Sequence, residues 1–317
     1  MSTTSATGMP GPAGARRFNR RVLIGILYMC AAGSLFPIMN GLVKELGAAY
    51  DSVQVVWART LGHLIFVLIL FAPKRGLVAI FRSVKLPWQI GRSLLLLAST
   101  MMFFTAVKDI PLAKAASISF TAPLIVTLLA LPILGERIGV SRLAAALVGF
   151  AGVLVVIRPG SELFQWASLL IVGSSSCYAL YQIFTRKVAG FDAPETSVVY
   201  SALIGTLVTT LIVPFVWTTP ASWLDVLIMA SLGVLGGLGH YCVAQSLTMA
   251  PANIVSPFQY FQMVGSVIVG YLMQGHLSDA YTWAGSAIII ASGLYIGWAE
   301  TRRMPSAASA SAPATSR

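Results

Sequence analysis

Apolar stretches long enough to cross a membrane follow one another along almost the whole chain, separated by short polar connections. A helix needs about 20 apolar residues to span the hydrocarbon core of a bilayer. On this criterion we predict ten transmembrane helices and no inserted soluble domain. The predicted helices cover residues 22–43, 53–72, 88–107, 112–134, 140–157, 166–185, 196–217, 223–247, 252–274 and 281–299.

The pattern of the first half is repeated in the second half. Residues 103–136 align with residues 241–275 with one residue of slack. Self-similarity of this kind indicates a repeat architecture. The chain therefore divides into two units of five helices, residues 22–157 and 166–299. Because five is an odd number, the second unit enters the membrane from the opposite side. We predict an all-α integral membrane protein made of two inverted repeats, an arrangement typical of secondary transporters.

Composition and charge support this prediction. Hydrophobic residues make up 57% of the chain and charged residues only 10%, whereas about a quarter of a soluble domain is charged. The net charge of +11 comes from basic residues in the connections, which favours a membrane surface over a nucleic-acid partner. Sixteen Lys and Arg residues lie on the side of the termini and four on the other, so both termini are expected in the cytoplasm. The expected location is the bacterial inner membrane.

The two ends of the chain are predicted to lie outside the repeats. Residues 1–21 are rich in small and polar residues and are expected to form a disordered cytoplasmic tail. Residues 300–317 are expected to form a second cytoplasmic tail. No cleavable signal peptide is evident, because the basic residues that precede the first helix lead directly into it.

Several short stretches carry a family resemblance. They include Trp57-Ala-Arg59, the Leu134-Gly-Glu-Arg137 turn and the Gly149-Phe-Ala-Gly152 run that follows it. Together they resemble the EamA-type branch of the drug/metabolite transporter superfamily over about residues 22–299. The second half has Met273-Gln-Gly275 where the Gly-Glu of the turn would fall, so the motif is degenerate there. The resemblance implies ten helices, cytoplasmic termini and a central cavity, but it does not specify the substrate.

Arg59 and His63 are the ionisable residues predicted deepest in the first repeat. A charge at mid-bilayer is costly, so Arg59 is expected to face the interior of the bundle. It could anchor an anion or a carbonyl of the substrate, or it could bind helix-end carbonyls between the halves. His63 lies one turn further on the same helix face. It could relay a proton, or it could be a neutral histidine hydrogen-bonded within the bundle.

Neutral hydrogen-bonding groups alternate with aromatic rings in the helices that the repeat predicts to meet. This combination suits a planar or amphipathic molecule with hydroxyl, amide or ring-nitrogen groups. The candidate substrate-binding residues are Asn40, Trp57, Arg59, Phe103, Ser119, Tyr178, Tyr181, Gln182, His240, Tyr241, Gln245, Gln259, Tyr260 and Gln262. Pro37, Pro123 and Pro257 each remove a backbone hydrogen bond and are candidate hinges, with kinks for packing as the alternative.

All ten acidic residues are predicted in connections or at helix ends. Proton-driven carriers commonly keep a carboxylate within the membrane. We therefore expect facilitated diffusion or exchange, because a proton-coupled cycle would depend on His63 or His240. The three cysteines have no metal-binding or disulfide spacing, so we expect no metal site and no cofactor. Gly293 and Gly297 are spaced for close helix packing, either within a repeat or in a homodimer.

The leading hypothesis is a secondary transporter for a small organic metabolite. An uncharged aromatic vitamin such as riboflavin is the preferred substrate, partly because some members of the resembled family carry it. Amino acids, S-adenosylmethionine-like metabolites and drugs are the alternatives, and a carboxylate could pair with Arg59 or Lys114. An integral-membrane enzyme is a remote alternative, since the sequence shows no clustered acid/base or metal motif. A regulatory membrane subunit is disfavoured by the short connections.

Overall fold

The computed structural model describes residues 20–134, 140–160, 165–188, 191–250, 255–275 and 277–301. Some expected features lie outside these residues: most of both tails, residues 135–137 and 252–253 of the repeat motifs, and His276. The helices are α1 (Arg20–Leu46), α2 (Ser52–Arg75), α3 (Leu77–Ile80), α4 (Leu86–Val107), α5 (Leu112–Ser119), α6 (Ala122–Leu134), α7 (Val140–Ile157), α8 (Ala167–Val188), α9 (Pro194–Ile212), α10 (Trp223–Met249), α11 (Phe261–Gln274) and α12 (Ala280–Thr301). Two 3₁₀ helices, Val213–Phe215 and Ser256–Tyr260, precede α10 and α11.

These helices account for all ten predicted membrane crossings. Eight stretches are long and apolar enough to span a bilayer, one of them formed by α5 and the start of α6, and a shorter apolar stretch, Leu143–Ile157, lies within α7. The described part of the remaining predicted crossing, residues 255–274, contains the second 3₁₀ helix and α11. The described part of the chain contains no strand. The protein is an all-helical, multi-pass membrane protein.

The helix contacts repeat when the two halves are exchanged. α1 packs along α10, and its counterpart α8 packs along α4. In the same way α2 contacts α10 as α9 contacts α4, and α1 contacts α11 as α8 contacts α6. The two remaining extensive contacts, α2 with α9 and α7 with α12, each join a helix to its own counterpart. This pattern is that of two inverted five-helix repeats related by a pseudo-two-fold axis.

The fourth crossing of each repeat is interrupted. α5 ends at Ser119, and α6 begins at Ala122 after a turn in which the Phe120 N–H donates to the carbonyls of Ala116 and Ser117. In the second repeat, the 3₁₀ helix gives way to α11 at Phe261. Interrupted helices are tolerated within a membrane where they are buried in protein or line a cavity. The prolines near these breaks, Pro123 and Pro257, are compatible with a local change of helix geometry.

Glycines allow two pairs of helices to approach closely. α2 and α10 cross where Gly62 faces Gly233, and a Cβ on Gly233 would overlap the Gly62 backbone and lie 2.5 Å from the His63 amide nitrogen. α7 and α12 cross in a similar way, since a Cβ on Gly285 would lie 2.6 Å from the carbonyl oxygen of Gly152. Small residues at helix crossings are a common feature of membrane proteins, where they bring two backbones into contact.

A hydrogen-bond network ties the halves together at the membrane face where α1 begins, which we call the N-terminal face. The Asp192 carboxylate, in the α8–α9 connection, accepts from Ser83 Oγ at 2.6 Å, Val84 N at 2.7 Å and Gln89 Nε2 at 2.9 Å. Gln89 Nε2 also donates to Ser197 Oγ at 2.9 Å. The network joins the start of α4 to the start of α9.

A second network lies at the other side of the membrane, the opposite face. Tyr50 Oη donates to Asp225 Oδ2 at 2.7 Å, and Lys108 Nζ donates to the Tyr50 carbonyl at 2.9 Å. Lys44 Nζ binds three carbonyls at the end of α4, those of Val107, Lys108 and Ile110, at 2.9, 3.0 and 2.9 Å. Asp225 lies in the first turn of α10, so this network also joins the two repeats.

Acidification is expected to weaken the network at the N-terminal face. Burial alone would raise the pKa of the Asp192 carboxyl, but the hydrogen bonds from Ser83 and Gln89 outweigh it and hold the pKa below its ordinary value. The carboxylate therefore contributes stability above an unfolded-state pKa of about 3.9, and the contribution is lost as the pH falls through the folded pKa. We expect the melting temperature in detergent to fall less steeply below about pH 4 in Asp192→Asn than in the wild type.

Glu45→Gln is the control for this prediction, because Glu45 is an exposed carboxylate at the opposite face. It should keep the acid response of the wild type. An unchanged response in Asp192→Asn would show that the network does not carry the effect.

Candidate functional site

A cavity of about 300 Å³ lies in the middle of the bundle, between the two repeats. This volume is at the lower end of the range found for small-molecule sites. Its wall is formed by α1, α2, α4, α5, α6, α8, α10, the second 3₁₀ helix and α11. The lining residues are Met29, Ala32, Gly33, Phe36, Met39, Asn40, Arg59, Leu96, Ser99, Thr100, Phe103, Phe104, Ala116, Ser119, Phe120, Ala122, Pro123, Ser174, Ser175, Tyr178, Gln182, His240, Val243, Gln259 and Gln262.

Aromatic rings form a large part of this wall. Phe36 on α1 packs edge-on against His240, with ring centroids 5.3 Å apart. Phe103 and Phe104 lie side by side on α4, and Phe120 lies at the break between α5 and α6. Aromatic rings on several sides of a cavity favour a flat ligand that can stack against them.

Neutral polar groups also line the cavity. Asn40, Gln182, Gln259 and Gln262 supply amides that can both donate and accept hydrogen bonds. Ser119 and other hydroxyls donate to carbonyls of their own helices, which leaves their oxygen lone pairs available. The described residues that line the cavity include no aspartate and no glutamate.

Arg59 is the cationic residue that lines the cavity. Its residue is 8% exposed, and its Nε atom is buried without a hydrogen-bond partner. No described residue accepts a hydrogen bond from its guanidinium, which lies 5.7 Å from the centre of the Phe104 ring. An aromatic face offers a cation some attraction, but less than a carboxylate would. The charge of Arg59 is therefore incompletely compensated by the residues that the structure describes.

The two membrane-embedded histidines lie beside Arg59. His63 and His240 stack with ring centroids 5.8 Å apart and an interplanar angle of 11°. His63 Nε2 is buried without a partner among the described residues. A second cavity of about 20 Å³, lined by His63, Ser201 and Arg59 among others, adjoins this pair. A space of this size with polar walls can hold one water molecule.

Comparison with known proteins identifies the family. The model of the EamA-like transporter family matches this sequence twice, over residues 23–158 and over residues 165–298. This chain belongs to the EamA-like transporter family. The two matched segments correspond to the two inverted repeats, and the central cavity is where inverted-repeat transporters bind their substrates.

Named relatives of this EamA-like transporter have different substrates. The riboflavin transporter of Vibrio cholerae is 28% identical over 283 residues, which cover 89% of this chain and 95% of the relative. The S-adenosylmethionine uptake transporter of Rickettsia prowazekii is 26% identical, and the match covers 90% of this chain and 96% of the relative. The pseudopaline exporter CntI of Pseudomonas aeruginosa is 27% identical, and the match covers 84% of this chain and 93% of the relative. A solved crystal structure with 20% identity and a TM-score of 0.59 covers 90% of this chain and 99% of its own, and it supports the fold alone.

The structure brings most of the candidate site residues of the transporter together. Nine of them line the cavity, namely Asn40, Arg59, Phe103, Ser119, Tyr178, Gln182, His240, Gln259 and Gln262. Of the hinge candidates, Pro123 also lines the cavity. Pro37 lies inside the continuous helix α1 and packs against Gly265, where a Cβ would be 2.8 Å from Pro37 Cγ. Pro257 lies in the second 3₁₀ helix.

Five candidates lie outside the cavity wall. Trp57 Nε1 donates to Thr210 Oγ1 at 3.0 Å, and Tyr241 accepts from Gln245 Nε2 at 2.9 Å. The remaining two support residues of the wall. Tyr181 stacks on Tyr178 at 5.5 Å, and Tyr260 packs on Phe120 at 4.8 Å with its hydroxyl over Gly293. This last contact gives Gly293 a packing role within the chain.

Arg92 is a buried arginine near the start of α4. The sequence pattern does not distinguish it from the other basic residues of the N-terminal face. Arg92 is 1% exposed. Its Nε donates to Thr185 Oγ1 at 2.9 Å, Nη1 to the Ser197 carbonyl at 2.7 Å and to Gln89 Oε1 at 3.0 Å, and Nη2 to Tyr181 Oη at 2.9 Å. Unlike Arg59, Arg92 has a hydrogen-bond acceptor at each of its three guanidinium nitrogens, and it links α4 to α8 and α9.

No group of three or more potential metal-ligating residues occurs within the described ranges. The free cysteines Cys30, Cys177 and Cys242 are each partly buried, consistent with their positions in apolar helices. What the cavity can do chemically is hold a flat, polar molecule by stacking, neutral hydrogen bonds and one guanidinium.

Proposed function

We propose that this EamA-like transporter carries riboflavin, or a similar uncharged aromatic vitamin, across the bacterial inner membrane by alternating access. The observation that supports this substrate class best is the lining of the cavity, which combines aromatic rings with amides and hydroxyls. The isoalloxazine ring of riboflavin could stack on the phenylalanines, and its polyol chain could hydrogen-bond with glutamine and serine side chains. The riboflavin transporters of Vibrio cholerae and Rhizobium johnstonii, each 28% identical, support the same substrate.

The hydrogen-bond networks at the two faces support alternating access. Each network connects parts of both repeats, Asp192 with Gln89 at the N-terminal face and Tyr50 with Asp225 at the opposite face. If the repeats rock against each other about the central cavity, one network breaks while the other is kept. The asymmetric distribution of Lys and Arg supports cytoplasmic termini, which would place the N-terminal face in the cytoplasm.

Riboflavin uptake provides the test of this function. A riboflavin-requiring bacterial strain that expresses the protein should grow on low external riboflavin and should accumulate labelled riboflavin. Thr100→Trp should abolish uptake, because Thr100 lines the cavity and the larger side chain would fill it. Thr105→Trp is the matched control, since Thr105 lies on the same helix but is exposed on its outer surface; it should leave uptake unchanged.

Competition with other substrates distinguishes the alternatives. The unpaired guanidinium of Arg59 also favours a carboxylate-bearing substrate, such as an amino acid or an S-adenosylmethionine-like metabolite. Excess amino acid or S-adenosylmethionine should not reduce riboflavin uptake if the proposal is correct. Transport of one of these compounds without transport of riboflavin would replace the vitamin as substrate and retain the carrier.

A further inference from the structure

The cavity wall is electrostatically uneven. Arg59 supplies a positive charge at one place, whereas the rest of the described lining consists of neutral polar groups and apolar or aromatic side chains. The other buried cations have acceptors of their own: Arg92 has the four described above, and Lys114 Nζ donates to Gln165 Oε1 at 3.0 Å. Arg59 is therefore the charged donor in the described cavity wall for which no described residue provides an acceptor.

Arg59 lies on a different helix pair from Ser119 and Gln262. Arg59 lies on α2, which packs against α4, α9 and α10. Ser119 and Gln262 lie on α5 and α11, which pack against each other and against α8, α1 and α12. The cavity wall thus carries a positive charge at Arg59, beside Phe104, and neutral hydrogen-bonding groups such as Ser119 and Gln262 on other helices. A ligand that fits is therefore expected to carry hydrogen-bond acceptors for a cation at one end and neutral hydrogen-bonding groups at the other.

We propose that Arg59 binds the heterocyclic edge of the substrate and thereby fixes its orientation in the cavity. This inference rests on the proposed function. A guanidinium presents two parallel N–H groups, which match two adjacent acceptors on a planar group. In a flavin ring, a ring nitrogen and a neighbouring carbonyl oxygen form such a pair, either N1 with O2 or N5 with O4. The polyol chain then extends toward Ser119 and the glutamines on the other side.

The neighbours of Arg59 support a binding role. The stacked rings of His63 and His240 close the wall beside it, and Phe104 lies 5.7 Å from its guanidinium. These neighbours hold the side chain without accepting its hydrogen bonds. A residue held in place with unused donors is suited to bind an acceptor on a ligand, because little order remains to be imposed when the ligand arrives.

A combined series of ligands and variants tests the proposal. Binding to the purified full-length protein in detergent is measured by quenching of flavin fluorescence, with riboflavin, 1-deazariboflavin and 5-deazariboflavin as ligands. Each deaza analogue lacks one of the two candidate ring-nitrogen acceptors. A riboflavin analogue altered on the benzenoid ring is the control ligand. We expect one deaza analogue to bind wild-type protein about tenfold more weakly than riboflavin, as for the loss of a hydrogen bond to a charged group.

Arg59→Met should bind riboflavin more weakly and should no longer distinguish it from that deaza analogue. Arg59→Lys retains the charge without the paired donors, so it should also lose this discrimination. It replaces Arg59→Met in the test if that variant does not fold. Lys114→Met is the matched control for removing a buried cation, because Lys114 does not line the cavity; it should bind all the ligands as the wild type does.

Two results would overturn the inference while leaving the transported vitamin in place. One is wild-type protein that binds riboflavin and both deaza analogues equally. The other is an Arg59 variant that weakens riboflavin and both analogues by the same factor, as a purely structural arginine would. Failure of wild-type protein to bind any flavin would instead contradict the proposed function, and the inference would fall with it.

Discussion

Gly233→Ala is expected to displace α10 from α2 and to abolish transport. A methyl group at this position would overlap the backbone of Gly62 and lie 2.5 Å from the His63 amide nitrogen. Backbone atoms cannot move aside as the end of a flexible side chain can, so the two helices must separate. Overpacking of this kind costs about 1–3 kcal/mol or more. Separation would also shift His63, which lies next to the crossing, relative to His240. We expect a lower melting temperature in detergent and loss of riboflavin uptake.

Two further glycine variants calibrate this prediction. Gly62→Ala should have a smaller effect, because its nearest new contact would be the Gly233 Cα at 3.1 Å. Gly297→Ala, in α12, is the neutral control, since nothing lies within 4 Å of its added Cβ. Alanine favours a helix over glycine by about 0.5–1 kcal/mol, so Gly297→Ala should be neutral or slightly stabilising. If Gly233→Ala were as stable and active as Gly297→Ala, the close crossing of α2 and α10 would be wrong.

Arg92→Met is expected to destabilise the protein, because it removes a buried side chain that donates four hydrogen bonds. The substitution leaves the Ser197 carbonyl, Gln89 Oε1 and the Tyr181 hydroxyl without their donor. Leaving buried polar groups unpaired costs about 1–3 kcal/mol for each group. For a chain of this size we expect the melting temperature in detergent to fall by about 5–10 °C. Transport should fall as well, because Tyr181 supports Tyr178 in the cavity wall.

Arg92→Lys should recover only part of this stability, since one ammonium group cannot reproduce the planar set of donors. Arg82→Met is the control, because it removes an exposed arginine at the same membrane face and should change the melting temperature little. If Arg92→Met and Arg82→Met had equal melting temperatures, the hydrogen bonds of Arg92 would make no net contribution to stability.

The fold could be predicted from the sequence to the level of its ten crossings and its inverted halves. Long apolar runs specify transmembrane helices strongly, because an unpaired backbone group in lipid is very costly. The interruption at residues 120–121 was less predictable. Pro123 marked the region, but the position of the break depends on how α5 and α6 pack against α8 and α11. The periodicity of the apolar residues carries no information about such contacts.

The kind of chemistry at the candidate site could be predicted from the sequence, but not the full set of residues that line the cavity. Conspicuous residue types, such as Arg59 and His240, could be picked out, and the structure places both in the cavity wall. Trp57 and Tyr241 are of similar types but bond elsewhere, because only one face of each helix borders the cavity. Phe36 and Phe120 also line the cavity, although phenylalanine is equally common on lipid-facing helix surfaces. Only the packing of the helices separates these two environments.

The helix contacts repeat when the two halves are exchanged, and this symmetry predicts a second conformation of the carrier, open to the other side of the membrane. In the first half the fourth crossing consists of α5 and α6 with a turn between them, and in the described part of the second half a 3₁₀ helix, Ser256–Tyr260, precedes α11. The described parts of these two crossings are thus related but differ in their backbone. If each half adopts the backbone of the other, the result is a new arrangement of the same chain in which the roles of the two membrane faces are reversed. Cross-links designed on one face should therefore have counterparts on the other, at positions that the repeat alignment specifies.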